Sequence, residues 1–233
     1  FSPITVQEAH DMYFKETKRG SINNFYKEVS FGKTSLLGEV FGWYKIPADT
    51  DCDFRKILRA AINASDNEIN FNEYSRISVV IEYNNNIFPC NYAGAGSVGI
   101  TEQFMTNDGP ITVSANVLTS HRIINNGGGA HEFGHNFGVW HAADYECGFN
   151  AIGNNCQVLP YEDEFDIMGW GYNYGHFNAY HKDKIGWFDP SEIIKLNRTN
   201  SGEYTITPIE MAGGNFPKAI KIGLCFDFQV VEK

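Results

Sequence analysis

A chain of 233 residues with 42% hydrophobic and 20% charged residues can bury one large domain or two small ones. Its longest apolar runs, such as residues 77–81, are too short to span a bilayer. A net charge of −10 excludes a nucleic-acid groove, which needs clustered Lys and Arg, and fits a solvated acidic surface.

The chain opens on Phe1-Ser2-Pro3 and enters a polar, helix-like segment without a signal-peptide pattern. It reads as a fragment whose targeting or pro-segment lies upstream. Thr5 and Glu8 are spaced as a capping box that starts a first helix, and Ser21 caps a second through about Val29. Residues 36–46 are rich in strand formers. Over 51–64, Phe54, Ile57, Leu58, Ala61 and Ile62 recur at helical spacing and predict an amphipathic helix. Residues 76–83 predict a buried strand followed by an Asn-rich turn, and 110–118 predict another strand. From Asn125 the texture changes. Gly127, Gly128 and Gly129 lead into a short helix, and residues 138–170 follow as a long irregular stretch. A helix over 176–187 is stopped by Asp189-Pro190, and 204–207, 219–222 and 226–231 are short strand-like segments. The predicted class is α+β, with a core over residues 1–190 and a β-rich segment over 191–233 that ends as an incomplete accessory domain would.

The cysteines are Cys52, Cys90, Cys147, Cys156 and Cys225, and none forms a CxxC pair, which argues against a thiolate zinc knuckle. Cys147 and Cys156 flank eight residues of the irregular stretch and are the favoured pair. Cys52 with Cys90 is a second pairing that spacing alone leaves open. Two sequons, at Asn63 and Asn197, and the cysteine usage fit an oxidising compartment and a secreted or extracellular setting.

The chemistry is concentrated in one segment, His131-Glu132-Phe133-Gly134-His135-Asn136-Phe137-Gly138-Val139-Trp140-His141. Residues four apart on a helix lie one turn apart on nearly the same face, so His131 and His135 can aim two neutral imidazoles at one metal ion. Glu132, beside the first ligand, reaches an attacking water instead of the ion. Gly138 accepts the left-handed turn that ends the helix, and His141 can then double back to complete three nitrogens with an open position. Five fixed residues over this span arise by chance in only about one in ten thousand chains of this length, so a buried helix with satisfied histidines is the poorer reading. Three imidazoles suit zinc, though nickel, cobalt or iron fit the same donors. With Glu132 as general base, attack of ion-activated water on a peptide carbonyl is the natural reaction.

This segment resembles the metzincin signature HExxHxxGxxH, and Asp166-Ile167-Met168-Gly169 resembles the Met-turn of that clan, with Met168 27 residues after His141. Residues 176–187 and 26–33 are similar to the gametolysin-like and immune-inhibitor-A-like peptidases within it, so the resemblance covers most of residues 1–190. It implies a secreted zinc endopeptidase with a twisted mixed sheet and helices above a cleft, and with Met168 as an apolar floor beneath the metal. An extended protein or peptide substrate would pair with a sheet edge, expected around residues 96–118. Some metzincins add a tyrosine ligand two residues after the Met-turn methionine. That position here is Trp170, whose indole only donates, so three protein ligands with water are expected. Tyr172 and Tyr174 stand close enough in sequence to hold a substrate carbonyl instead.

His10, His121, His176 and His181 read as surface or packing residues, and Tyr145 and Tyr161 as aromatic packing that could approach a cleft. Calcium has only the acidic stretch 162–166 to recommend it, which reads as an exposed loop. A monomer without a membrane span is expected. The competing function is a catalytically silent, zinc-stabilised binding or adhesion module on the same fold, against which the intact Glu132 argues.

Overall fold

Helix starts are fixed by side chains that take up the first unpaired backbone N–H groups. In α1 (Val6–Phe14) the Thr5 hydroxyl accepts from the Glu8 N–H while the Glu8 carboxylate accepts from the Thr5 N–H, a complete capping box. Ser21 caps α2 (Ile22–Val29), and Asp53 caps α3 (Phe54–Ser65) by accepting from the Lys56 N–H. The computed structural model describes residues 4–16, 20–47, 51–81, 90, 92–120, 124, 127–149, 155–170, 175–197, 200 and 202–223. It is a mixed α+β chain that divides into two compact units, Phe1–Phe177 and Asn178–Lys233. Among the described residues no helix is long and apolar enough to cross a membrane.

In the first unit the sheet is organised by one long strand. β1 (Arg76–Val80) runs parallel to β4 (Gly109–Leu118), with Arg76 opposite Ser114 and Val80 opposite Leu118. On the other edge β2 (Gly94–Gly96) pairs antiparallel with the end of β4, Gly94 opposite Leu118 and Gly96 opposite Asn116. β3 (Glu102–Thr106) forms a hairpin with the first half of β4. The period-2 alternation of β4 sends Ile111, Val113, Ala115 and Val117 into an apolar core with Ile57, Leu58 and Ile62 of α3. The opposite face carries Asn116, whose amide N–H₂ donates to Asn136 Oδ1 at 2.9 Å on α4 (Gly128–Asn136). One sheet face is therefore packing and the other positions the helix that carries the histidines. Tyr26 of α2, fully buried, donates its hydroxyl to the Ala130 carbonyl at 2.7 Å and ties α2 to the same helix.

Two sequence readings differ from the structure here. Residues 36–46 form no strand, because strand-forming side chains set only the backbone preference and a ladder needs a neighbour. Among the described residues β1 makes its ladder with β4 alone. The stretch after His141 is not wholly irregular. β5 (Ala143–Glu146) and β6 (Gln157–Pro160) pair antiparallel from Ala143–Pro160 to Glu146–Gln157.

Both expected disulfides are present, Cys147–Cys156 and Cys52–Cys90. Cys147 and Cys156 continue the β5–β6 register and lock its outer end. Replacing both with Ser is expected to cost about 2.5–3 kcal/mol in the chain-entropy model. Thermal melts of the double variant, paired with non-reducing peptide mapping, check this. Finding Cys147 as a free thiol in the native protein would contradict it.

In the second unit, Asn178 caps α5 (Ala179–Ile185), which ends at a left-handed Gly186, and a 3₁₀ turn at Pro190–Glu192 leads into a short parallel pair. That pair is β7 (Ile193–Leu196) with β8 (Ala219–Ile222). Residues 204–207, expected as a strand, carry no ladder; 226–231 and Cys225 lie outside the described residues.

Candidate metal centre

The helix α4 opens at Gly127, whose φ of 81° is the left-handed conformation that only glycine takes at little cost. It carries His131, Glu132 and His135 on consecutive turns and stops at Gly138, with φ of 92°. There the Gly138 N–H bonds back to the His135 carbonyl at 2.8 Å and the Val139 N–H to the Gly134 carbonyl. The chain then reverses and returns His141 to the same point. Ligand nitrogens of His131, His135 and His141 all lie within 4.8 Å of one another. The Nε2 atoms of His135 and His141 are 3.0 Å apart. Tetrahedral coordination with metal–nitrogen bonds of 2.0–2.1 Å puts ligand nitrogens about 3.3 Å apart, so the cluster is the right size for one ion.

The tautomers follow from the partners of the other ring nitrogens. His131 Nδ1 is 2.8 Å from the Ile167 carbonyl, and His135 Nδ1 is 2.9 Å from the Val139 carbonyl. A carbonyl can only accept, so each Nδ1 carries the proton and each Nε2 keeps a free lone pair for a metal. Burial lowers the pKa of His131, and burial together with the nearby His131 brings His141 down to about 4. Neutral imidazole is the ligating form.

Glu132 is buried, and its Oε2 has no hydrogen-bond partner. Burial raises its carboxyl to about 8 in the metal-free protein. An orphaned carboxylate oxygen at a cavity wall is a base without a task inside the protein. Its slot is made by β2. A Cβ on Gly94 would meet Glu132 Oε1 at 2.6 Å, and one on Gly96 would meet the Glu132 carbonyl at 2.9 Å and Oε2 at 3.0 Å. The two glycines thus present a bare strand face to the carboxylate. Both they and the histidines line one cavity of about 670 Å³, with Trp140 and Tyr161 also in its wall.

Below α4, residues 166–169 make a tight turn: the Met168 N–H donates to Asp166 Oδ1 at 2.7 Å and the Gly169 N–H to the Asp166 carbonyl at 2.9 Å. Met168 is fully buried against Gly134, where a Cβ would fall 2.2 Å from its sulfur. At Gly169 a Cβ would lie 1.9 Å from the Asp163 carbonyl oxygen. Because that obstacle is backbone, Gly169→Ala is expected to destabilise by about 1–3 kcal/mol and to disturb the floor under the histidines. A lowered melting temperature with weakened metal binding is the expected readout.

The structure brings together His131, Glu132, His135, Gly138, His141 and Met168. It does not bring the remaining described histidines there: His10 is at the surface, His176 contacts Glu28 at 3.3 Å, and His181 is buried on α5. His121, Tyr172 and Tyr174 lie outside the described residues. Trp170 is half-exposed and absent from the cavity wall, and Phe165 stands exposed in the acidic stretch 162–166, as a loop reading requires. The sheet edge at the cavity is β2, which meets the region expected from sequence, 96–118, only at Gly96; β4, which ends that region, is the inner strand of the sheet.

Sequence reasoning allowed Tyr161 to approach a cleft without fixing its place, and it missed the Arg55–Glu102 ion pair, whose Nε–Oε2 distance is 2.9 Å. Tyr161 packs on His141 with ring centroids 3.8 Å apart and planes tilted by 32°, and lies nearly parallel to His131 at 6.2 Å. Burial and the charge of Glu132 raise its phenol pKa, so the hydroxyl keeps its proton. Nothing local marks Tyr161, since its place depends on hairpin register. The Gly94-Ala95-Gly96 run was a legible sign of close backbone approach. Comparison of the chain with protein-family models, curated proteins and solved structures finds no match.

Proposed function

We propose that this protein is a secreted zinc endopeptidase of metzincin type, hydrolysing peptide bonds of extracellular proteins. The observation that carries the reading is the three-histidine cluster, with two tautomers set by backbone carbonyls, beside the unpartnered carboxylate of Glu132. Three borderline-soft nitrogens with an open position favour zinc. When bound, the ion supplies Lewis-acid polarisation of the carbonyl and of the attacking water.

The chain's own residues do the rest. The free edge of β2 hydrogen-bonds an extended peptide across the cavity mouth. Glu132 takes a proton from water as its oxygen bonds to the carbonyl carbon and the C=O π pair moves onto oxygen. Glu132 then gives that proton to the leaving nitrogen as the C–N bond breaks, yielding a carboxylic acid and an amine, which part as carboxylate and ammonium once the acid's proton passes to the amine. Residues 166–169, with Met168 packed under α4, serve as the Met-turn. The two disulfides support an oxidising, extracellular setting.

The test is zinc stoichiometry by elemental mass spectrometry together with cleavage of a peptide library before and after chelation. One zinc per chain with chelator-sensitive, zinc-restored cleavage is expected. Full zinc loading without cleavage of any peptide would sink the reading.

A further inference from the structure

Resting on the peptidase reading, we propose that Tyr161 is a catalytic residue, whose phenol donates a hydrogen bond to the scissile carbonyl oxygen as negative charge develops there. The placement comes from register. The β5–β6 ladder pairs Ala143 with Pro160, Asp144 with Leu159, Tyr145 with Val158 and Glu146 with Gln157. Extending it by one residue inward sets Tyr161 opposite Ala142, immediately beside His141. Extending it by one outward sets Cys147 opposite Cys156, where the disulfide closes it. A covalent clamp and a metal-site histidine therefore sit at the two ends of one short ladder, and Tyr161 is delivered to the histidine end.

Its backbone is also held away from the common conformations. With φ of 68°, Tyr161 occupies the left-handed region, which a bulky non-glycine residue enters at a cost. That conformation lays the ring against His141 and into the wall of the cavity that contains Glu132. Two other polar side chains of that wall are already engaged within the protein. The Ser97 hydroxyl bonds the Gly99 carbonyl and accepts from the Ala115 N–H. Arg55 is paired with Glu102 through both Nε and Nη2. Among the described residues, Tyr161 is the hydroxyl-bearing aromatic in ring contact with the metal cluster. Attack on the carbonyl moves its π electron pair onto oxygen, and a preorganised neutral donor stabilises that charge more than it stabilises the bound amide.

Tyr161→Phe keeps the ring on His141 and removes only the hydroxyl. The variant is expected to bind zinc with an affinity within about twofold of wild type, measured by chelator competition, with KM for a fluorogenic peptide within about threefold. Its kcat should fall by about 10²-fold, and its affinity for a phosphinic peptide, which mimics the tetrahedral oxyanion, should fall by a similar factor in calorimetry. If kcat and phosphinic affinity are unchanged, the ring merely packs on His141 and the proposal fails. A loss of zinc affinity in Tyr161→Phe would make the phenol a ligand and overturn it equally. Wild-type protein that binds zinc but neither cleaves peptides nor binds the phosphinic peptide would overturn the peptidase reading, and this role with it. Wild-type protein that does both, with an indistinguishable Phe variant, would overturn this role alone.

Discussion

Glu132→Gln is expected to lower kcat/KM for peptide hydrolysis by about 10³–10⁴-fold while leaving one zinc per chain. The amide fills the slot beside Gly94 and Gly96 as the carboxylate does, so α4 and its histidines have no reason to move. What is lost is the proton acceptor. The Oε2 atom has no partner within the protein, so no internal hydrogen bond is broken by the substitution and the effect falls on chemistry. His135→Ala is the contrast: it removes a ligand whose tautomer is fixed by Val139, and both zinc and activity should disappear. Elemental analysis beside initial rates separates the two variants. Near-normal turnover in Glu132→Gln would mean that another group takes the proton.

The metal-free protein should lose stability as pH rises between 6.5 and 8, by about 2 kcal/mol. Glu132 has a folded-state pKa of about 8 against an ordinary value of 4.5, because it is buried. Between those values the folded carboxyl holds a proton that the unfolded one has released, so the folded state binds more protons and raising the pH favours unfolding. This contribution is fully present below pH 4.5 and is lost as pH rises through 8. His131 and His141 act in the opposite sense, since burial lowers both, and their contribution is lost as pH falls below 6.5. Above 6.5 their unfolded-state charge fades with rising pH, and because the Glu132→Gln variant keeps the same histidines, the difference between the two proteins isolates Glu132. Denaturant melts in excess chelator should show the fall in wild type and not in Glu132→Gln. Added zinc should abolish it, because a cation beside the carboxylate favours the ionised form. Parallel wild-type and Gln curves would show that Glu132 is ionised without the metal.

Local rules made much of this molecule legible. Thr5 and Ser21 cap where their side chains can reach the next N–H groups, and the 3.6-residue spacing of Ile57, Leu58 and Ile62 marks the buried face of α3. The metal centre was legible for the same reason: His131, Glu132 and His135 share one helix, and Gly138 announces the turn that returns His141. Features that depend on distant partners were not. Residues 36–46 have strand-forming side chains but no ladder, and β5 and β6 are four-residue strands that exist because Ala143 finds Pro160 across a loop. The sequence lets Tyr161 approach a cleft beside the commoner reading of aromatic packing, and it does not decide between them because its neighbour, His141, is twenty residues away.

The carbonyls of Ile167 and Val139 that orient His131 and His135 belong to the main chain. In many metal sites that task falls to a carboxylate side chain, which a single substitution can delete. Here no point mutation removes the acceptor, because every residue type supplies a carbonyl. The ligand geometry is therefore buffered against genetic drift, while the cavity wall, with its exposed Trp140, is open to it. If the proposed peptidase reading holds, such a centre can change what it recognises at its mouth without first losing the ligand set at its base, which would make it a favourable starting point for laboratory evolution of new cleavage preferences.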